Sequence, residues 1–178
     1  MVILIGGSSH VGKTLLSQKL MEKLRFPYVS LDHIKMGLIR GGYTALTVGQ
    51  DAEMREYMWP LVCGMIRTAV ENGQNMIIEG CYIPGDWAKS FSEDYLKNIR
   101  AVFLVMSEAY IRENAESIVR WGDVIENRLD KSIDVERLVF CSRMFEEWAG
   151  ESKSPCLKID KTFSIEEMLE RACILLGV

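Results

Sequence analysis

The stretch Gly7-Ser8-Ser9-His10-Val11-Gly12-Lys13-Thr14 decides the fold, because it fits the pattern G-x-x-x-x-G-K-[ST]. Its two glycines let the backbone curl tightly, so that successive N–H groups point inward at phosphate oxygens while the following helix offers its positive end. Lys13 supplies a full charge for the β- and γ-phosphates of a nucleotide, and Thr14 places a hydroxyl where Mg²⁺ would be held. Ser8, Ser9, Val11 and Leu15 fall within the same cradle. His10 occupies a variable position, to be read either as a tolerated surface residue or as a neighbour of the phosphates or base. At ordinary residue frequencies a chain of this length matches the pattern by accident on the order of 1% of the time. Its placement, directly after the apolar run Met1 to Ile5 and directly before an amphipathic helix, is the one its chemistry requires.

Outward from this loop, the chain alternates. Short apolar runs at Val2 to Ile5, Asn75 to Ile78, Ala101 to Met106 and Cys156 to Ile159, with a weaker one at Tyr28 to Leu31, are candidate strands. They lack strict alternation, which suits strands buried on both faces. Between them, Leu16, Leu20 and Leu24 recur at helical spacing, as do Met54, Met58, Leu61, Met65, Ile66 and Ala69 within Asp51 to Glu71, where Pro60 is expected to kink the helix. Val135, Leu138, Val139, Phe145 and Trp148 mark another helix over Asp134 to Ala149. Ser164 with Glu167 reads as a capping box opening a last one. The class is α/β, a parallel sheet with helices on both faces.

Composition narrows the setting without naming any chemistry. The 178 residues, 48% hydrophobic and 26% charged, suit a single domain with a real core and exclude disorder and collagen-like repeats. A net charge of −4 lacks the broad positive field that draws nucleic acid or anionic membranes, so any anion site must be built locally. No run approaches the roughly 20 apolar residues of a membrane span, and no leader pattern precedes Gly6-Gly7, which leads to the expectation of a cytoplasmic protein. The five cysteines are odd in number, widely spaced and never in a C-x-x-C pair, which disfavours disulfides and zinc.

GTPase switches need D-x-x-G and N-K-x-D segments, and neither is present. The layout resembles the nucleoside-monophosphate-kinase-like superfamily, most closely its small acceptor kinases related to chloramphenicol phosphotransferase, zeta-toxin kinases and 2-phosphoglycerate kinase. Ser30-Leu31-Asp32-His33-Ile34 resembles the segment where these kinases place an acceptor-facing aspartate. Met76-Ile77-Ile78-Glu79-Gly80 is similar to their Walker-B-like strand end. The polar helical stretch from Tyr110 to Arg128 resembles their lid, and Lys158-Ile159-Asp160-Lys161-Thr162 resembles the loop that wraps adenine, with Lys161 and Thr162 beside the base. The resemblance implies a three-layer α/β/α P-loop fold, five parallel strands in the order 2-3-1-4-5, and a short lid at 110–128 on one kinase domain spanning 1–178. It also implies ATP and Mg²⁺, a small-molecule acceptor, and a monomer or homodimer acting without nucleic acid or membrane.

Within that frame Asp32 is favoured as the base for an acceptor hydroxyl and Glu79 as the partner of Mg²⁺ through water, although the two roles can be exchanged. Alternatively, Asp32 is the N-cap of a helix through Ile34, Met36 and Leu38, and Glu79 a surface carboxylate. Phosphoryl transfer spreads charge over equatorial oxygens, so Arg120, then Arg128 and Arg112, are candidate lid arginines, with Trp121-Gly122-Asp123 as the break that lets them converge. Each is alternatively a solvated partner of Glu113, Glu116 or Glu126. Arg40, before Gly41-Gly42-Tyr43, is a candidate for meeting an anionic acceptor. Trp59, Tyr82 and Trp87 are candidates for bounding an organic one, or core residues, and Cys81 lines the same side or packs. Glu79-Gly80-Cys81-Tyr82-Ile83-Pro84-Gly85 has no arginine where adenylate kinases carry one, which argues against AMP, and the triple glycine of shikimate kinases is also missing. The expectation is transfer of the ATP γ-phosphate to a small-molecule hydroxyl. The alternatives are a nucleoside or nucleotide kinase, or an ATP-binding regulatory or toxin-like protein with little turnover.

Overall fold

The structure, a computed structural model, describes residues 1–122 and 133–178. Its sheet has five strands: β1 (Val2–Gly7), β2 (Tyr28–Ser30), β3 (Met76–Glu79), β4 (Ile99–Met106) and β5 (Cys156–Ile159). All neighbouring pairs are parallel and the order is β2-β3-β1-β4-β5, as the resemblance implies. Between them run α1 (Lys13–Leu24), α2 (Leu31–Arg40), α3 (Asp51–Glu71), α4 (Glu93–Leu96), α5 (Glu108–Glu113), α6 (Ala115–Gly122), α7 (Val135–Glu151) and α8 (Ile165–Leu176).

Successive strand residues point to opposite faces, and here both faces are covered. Val2 and Leu4 join Phe103 and Val105 in one apolar cluster with Met54, Met58, Val62 and Ile66 of α3 and Phe145 of α7. Ile3 and Ile5 join Val102 and Leu104 in the other with Leu16 and Leu20 of α1 and Met168 and Ala172 of α8. This two-sided burial explains why the strands read as unbroken apolar runs. Strand β1 extends two residues beyond the expected run, because Gly6 and Gly7 still pair with Phe103 and Leu104.

The helix α3 is unbroken across Pro60, whose ring lies on the exposed side. Two local expectations need revision. Leu31 opens α2 instead of ending β2, so the N-cap position belongs to Ser30 and Asp32 stands in the first turn. At α8, Ser164 Oγ accepts from Glu167 N at 3.3 Å, while Glu167 turns its carboxylate to Arg171 at 3.7 Å, which leaves half of the capping box. All five thiols are free. Among the described residues no helix is long and apolar enough to cross a membrane.

Candidate functional site

Parallel strands deliver their carboxyl ends to one edge of the sheet, the usual place for ligands in open α/β folds. At this edge β1 runs into the glycine-rich loop, β2 into Asp32 and β3 into Glu79, with Ile5, Glu79 and Ser30 in register across the three strands. The loop's glycines are required by its path. A Cβ on Gly7 (φ +138°) would lie 2.1 Å from the Leu104 carbonyl oxygen, and Gly12 (φ +87°) turns in the left-handed region at the N-cap of α1. Lys13 is buried and its Nζ donates to the Ser8 carbonyl at 2.7 Å, folding the cation back over the loop. The first helical bond of α1 is Leu16 N to Gly12 O at 2.9 Å. The N–H groups of Lys13, Thr14 and Leu15 therefore precede the ladder and are available to an anion. Ser9 is exposed, Val11 is buried, and His10 adopts a left-handed φ of +62°. The Ser8 and Ser142 hydroxyls share a buried hydrogen bond of 2.9 Å, which fastens α7 to the loop.

Glu79 is the buried carboxylate of the site, 1% exposed. Its Oε1 accepts from Thr14 Oγ1 at 3.2 Å, whereas Oε2 is buried without a hydrogen-bond partner. Ser30 Oγ lies near enough to favour the ionised form but makes no bond of ordinary geometry and is itself unpartnered. Burial raises the Glu79 pKa, with Lys13, Ser30 and Thr14 opposing and the charge of Asp32 adding to it. An orphaned carboxylate oxygen beside a threonine hydroxyl, at the mouth of a phosphate-type loop, suits a hydrated hard cation such as Mg²⁺. Asp32 is half-buried, and its charge also raises Cys81 and Tyr82, so it faces the segment that follows β3.

Beyond Asp32 lies a polar network of which the sequence offered only Tyr82. Lys35 is buried and its Nζ donates to Tyr82 Oη at 2.6 Å, to the Val48 carbonyl at 2.9 Å and to Asp51 Oδ1 at 3.1 Å. Tyr82 Oη in turn donates to Asp51 Oδ1 at 2.9 Å, and Arg137 of α7 binds Asp51 Oδ2 at 2.8 Å. Burial alone would raise the Asp51 pKa, but the hydrogen bonds from Tyr82 and Lys35 and the charges of Lys35 and Arg137 outweigh it and hold the pKa down. Burial and the nearby acids push the Tyr82 phenol up. Arg55 stacks on Trp148, with its guanidinium 4.8 Å from the ring centre, and reaches the Cys81 carbonyl at 3.4 Å.

The remaining candidates separate. Lys161 and Thr162 are exposed between β5 and α8, and the ring of the next residue, Phe163, lies over Gly12. Arg112 pairs with Glu108 and, through two bonds of 2.6 and 3.0 Å, with Glu136, which are not the glutamates expected. Arg120 is exposed in the last turn of α6, while Arg128 and the Asp123 end of the expected break lie outside the described residues. Arg40 is exposed at the end of α2. Trp59 and Trp87 do not bound the site: Trp59 packs edge-on against Phe91, and Trp87 is buried with its indole bonded to Ser154, ahead of the amino end of β5. The residues the sequence did not single out are Lys35, Asp51, Arg55, Arg137 and Ser142. Nothing local marks them, since an Arg or Lys on a helix, an Asp in a first turn and a serine within a helix are each ordinary.

No family model and no curated protein matches the sequence. Solved structures do match its fold. A gluconokinase from Sinorhizobium meliloti 1021 is 14% identical, with 99% of this chain and 91% of that one covered at a TM-score of 0.59. A deoxyadenosine kinase from M. mycoides, with products bound, is 16% identical over 99% of each chain at 0.60. A shikimate kinase from Bacteroides thetaiotaomicron is 19% identical over 100% and 99% at 0.56. The chain has the α/β fold of these P-loop kinases.

Proposed function

We propose that this protein is an ATP-dependent kinase that transfers the γ-phosphate to a hydroxyl of a small molecule. The observation that carries the reading is the convergence, at one sheet edge, of a phosphate-type loop holding a buried lysine with two carboxylates in different environments. The N–H groups of the loop and Lys13 bind the phosphates, in line with the requirement that charge on the transferred group be met by fixed donors. The loop bearing Lys161 and Thr162, with Phe163 lying against Gly12, forms the base side. The acceptor then occupies the opposite side, toward Asp32 and Cys81.

Asp32, half-buried and in the first turn of α2, takes the hydroxyl proton. Thr14 and, through water, Glu79 would hold Mg²⁺, which would supply positive charge to offset that of the phosphates. Arg120 closes over the nucleotide from a lid that begins at α5, with Arg128 as the second candidate. We extend the proposal to a cytoplasmic location, supported by five widely spaced cysteines without a C-x-x-C pair.

Two variants test the reading. Lys13→Ala should abolish transfer in a coupled assay of ADP release. Asp32→Asn should keep ATP binding by calorimetry and lose turnover by about 10²–10⁴-fold, the usual contribution of a positioned base. Unchanged turnover in Asp32→Asn would move the base role to Glu79. A protein that binds ATP and transfers phosphate to nothing in a screen of sugars, sugar acids, nucleosides, nucleotides and antibiotics would instead be a nucleotide-binding regulator.

A further inference from the structure

Three cations face the acceptor side of Asp32, and only one carboxylate among the described residues pairs with them. Asp51 takes both Lys35 and Arg137. Arg55 forms no ion pair with any described residue, its Nε is buried without a hydrogen-bond partner, and its protein hydrogen bond is the long one to the Cys81 carbonyl. Glu79 sits on the phosphate side, and Asp32, which borders the acceptor, brings the carboxylates beside the three cations to two. Among the described residues the wall therefore carries an excess of positive charge.

The mounting of Arg55 is rigid. Its guanidinium lies on Trp148, whose ring packs edge-on against Phe145 at 5.1 Å and fills the space a side chain on Gly85 would need. A guanidinium fixed on an aromatic face keeps its planar fork of donors available to a carboxylate or phosphate, and partial burial strengthens the bonds it makes. The site also adjoins the residues of the proposed chemistry through Cys81. Arg55 holds the carbonyl of Cys81, and the Cys81 thiol is close enough to Lys13 and Asp32 for both to act on its ionisation. Arg137 is the adjustable member: its side chain is 63% exposed and its partner Asp51 retains Lys35 and Tyr82 if it leaves.

We propose that the phosphoryl acceptor is itself anionic, a small hydroxylated molecule whose carboxylate or phosphate group is bound by Arg55, with Arg137 turning from Asp51 to join it. The proposal rests on the kinase reading for the hydroxyl and transfers the anion-binding role suggested by the sequence for Arg40 to these two arginines.

The test compares matched acceptors with Mg²⁺ and ATP: glycerate against glycerol, gluconate against glucitol, and glucose 6-phosphate against glucose. Acids should be phosphorylated in preference to their neutral partners, and the winning pair distinguishes carboxylate from phosphate. Arg55→Gln should raise the KM of the acid on the order of 100-fold with the KM of ATP unchanged, and Arg55→Lys should recover part of the loss. If Arg55→Gln does not fold, the exposed Arg137→Gln serves, with a rise of about tenfold expected. Preference for the neutral members, or an unchanged acid KM in the folded variants, overturns the proposal. Thermal stabilisation by the same acids, measured with a non-hydrolysable ATP analogue, separates the two readings. Stabilisation that depends on Arg55 without any phosphate transfer supports the anion site and defeats the kinase. No stabilisation of the wild type beyond that of Arg55→Gln, together with no transfer to an acid, overturns the anion site.

Discussion

Glu79 shows what the site asks of a single residue. A carboxylate that meets one hydroxyl and leaves its second oxygen buried and unpaired is costly when ionised, and its raised pKa reports that cost. An acid whose pKa rises on folding adds stability below its ordinary value and withdraws it as pH climbs through the raised one. Glu79→Gln should therefore stabilise the metal-free protein at neutral pH. We expect a gain on the order of 1 kcal/mol, or roughly 2–4 °C in Tm for a domain of this size. The gain should shrink as the solution is taken below pH 4.5, where the wild-type glutamate also carries its proton. Lys13 works against this, since it loses a neighbouring charge, but burial is the larger influence on Glu79. Melting curves of both proteins between pH 4 and 8 decide the matter, and a variant less stable than wild type throughout would mean that Lys13 depends on this carboxylate. The same substitution should weaken the dependence of thermal stability on added Mg²⁺ and ATP.

The element that ties the site together is α7. Its Ser142 meets Ser8 of the loop, its Arg137 meets Asp51 of α3, and Glu136 meets Arg112 of α5. Its apolar face was legible from the spacing of Leu138, Val139 and Phe145, all of which are buried. Its polar contacts were not, because the Ser8–Ser142 pair joins residues 134 positions apart and nothing local to Ser142 distinguishes it from other helix serines. The glycine-rich loop lies at the other extreme: its function is built from consecutive backbone groups, so its sequence and its geometry carry the same information. Asp32 and Glu79 fall between, since the ends of the apolar runs located them but the register that brings Glu79 level with Ile5 and Ser30 had to be seen. Ser142→Ala would leave the Ser8 hydroxyl buried and alone, at a cost of about 1–2 kcal/mol, whereas Ser8→Ala with Ser142→Ala removes both partners and should cost less than the sum of the singles. Denaturant titration of the two single variants and the double should give a coupling of about 1 kcal/mol. A coupling of zero would mean that α7 is held to the loop by its apolar face alone.

Across the whole molecule, burial on both faces of the sheet provides the gross stability, and the polar connections decide how that stability responds to pH. A net charge of −4 had said only that an anion site must be local, and the structure places Lys13, Lys35, Arg55 and Arg137 around one sheet edge. Asp51 is the hinge of that arrangement, since it joins α3 to α2, α7 and the segment after β3. Its lowered pKa has the opposite consequence to that of Glu79: the stability it contributes is complete above the ordinary aspartate value of 3.8 and is lost as pH falls through the lowered one. Asp51→Asn should cost about 1–3 kcal/mol at pH 7, less than a fully buried pair would, because the carboxylate side chain is 36% exposed and water screens part of the interaction. Most of that cost comes from Lys35, only 7% exposed and left without a counter-charge. Replacing both ends, Lys35→Met with Asp51→Leu, removes the stranded cation and should recover part of the loss. Denaturant unfolding at pH 7 and pH 3 checks the sign, since the gap between wild type and Asp51→Asn must narrow at the lower pH. A gap of equal size at both values would mean that the asparagine disturbs packing, and that the ionised carboxylate is not what joins these elements.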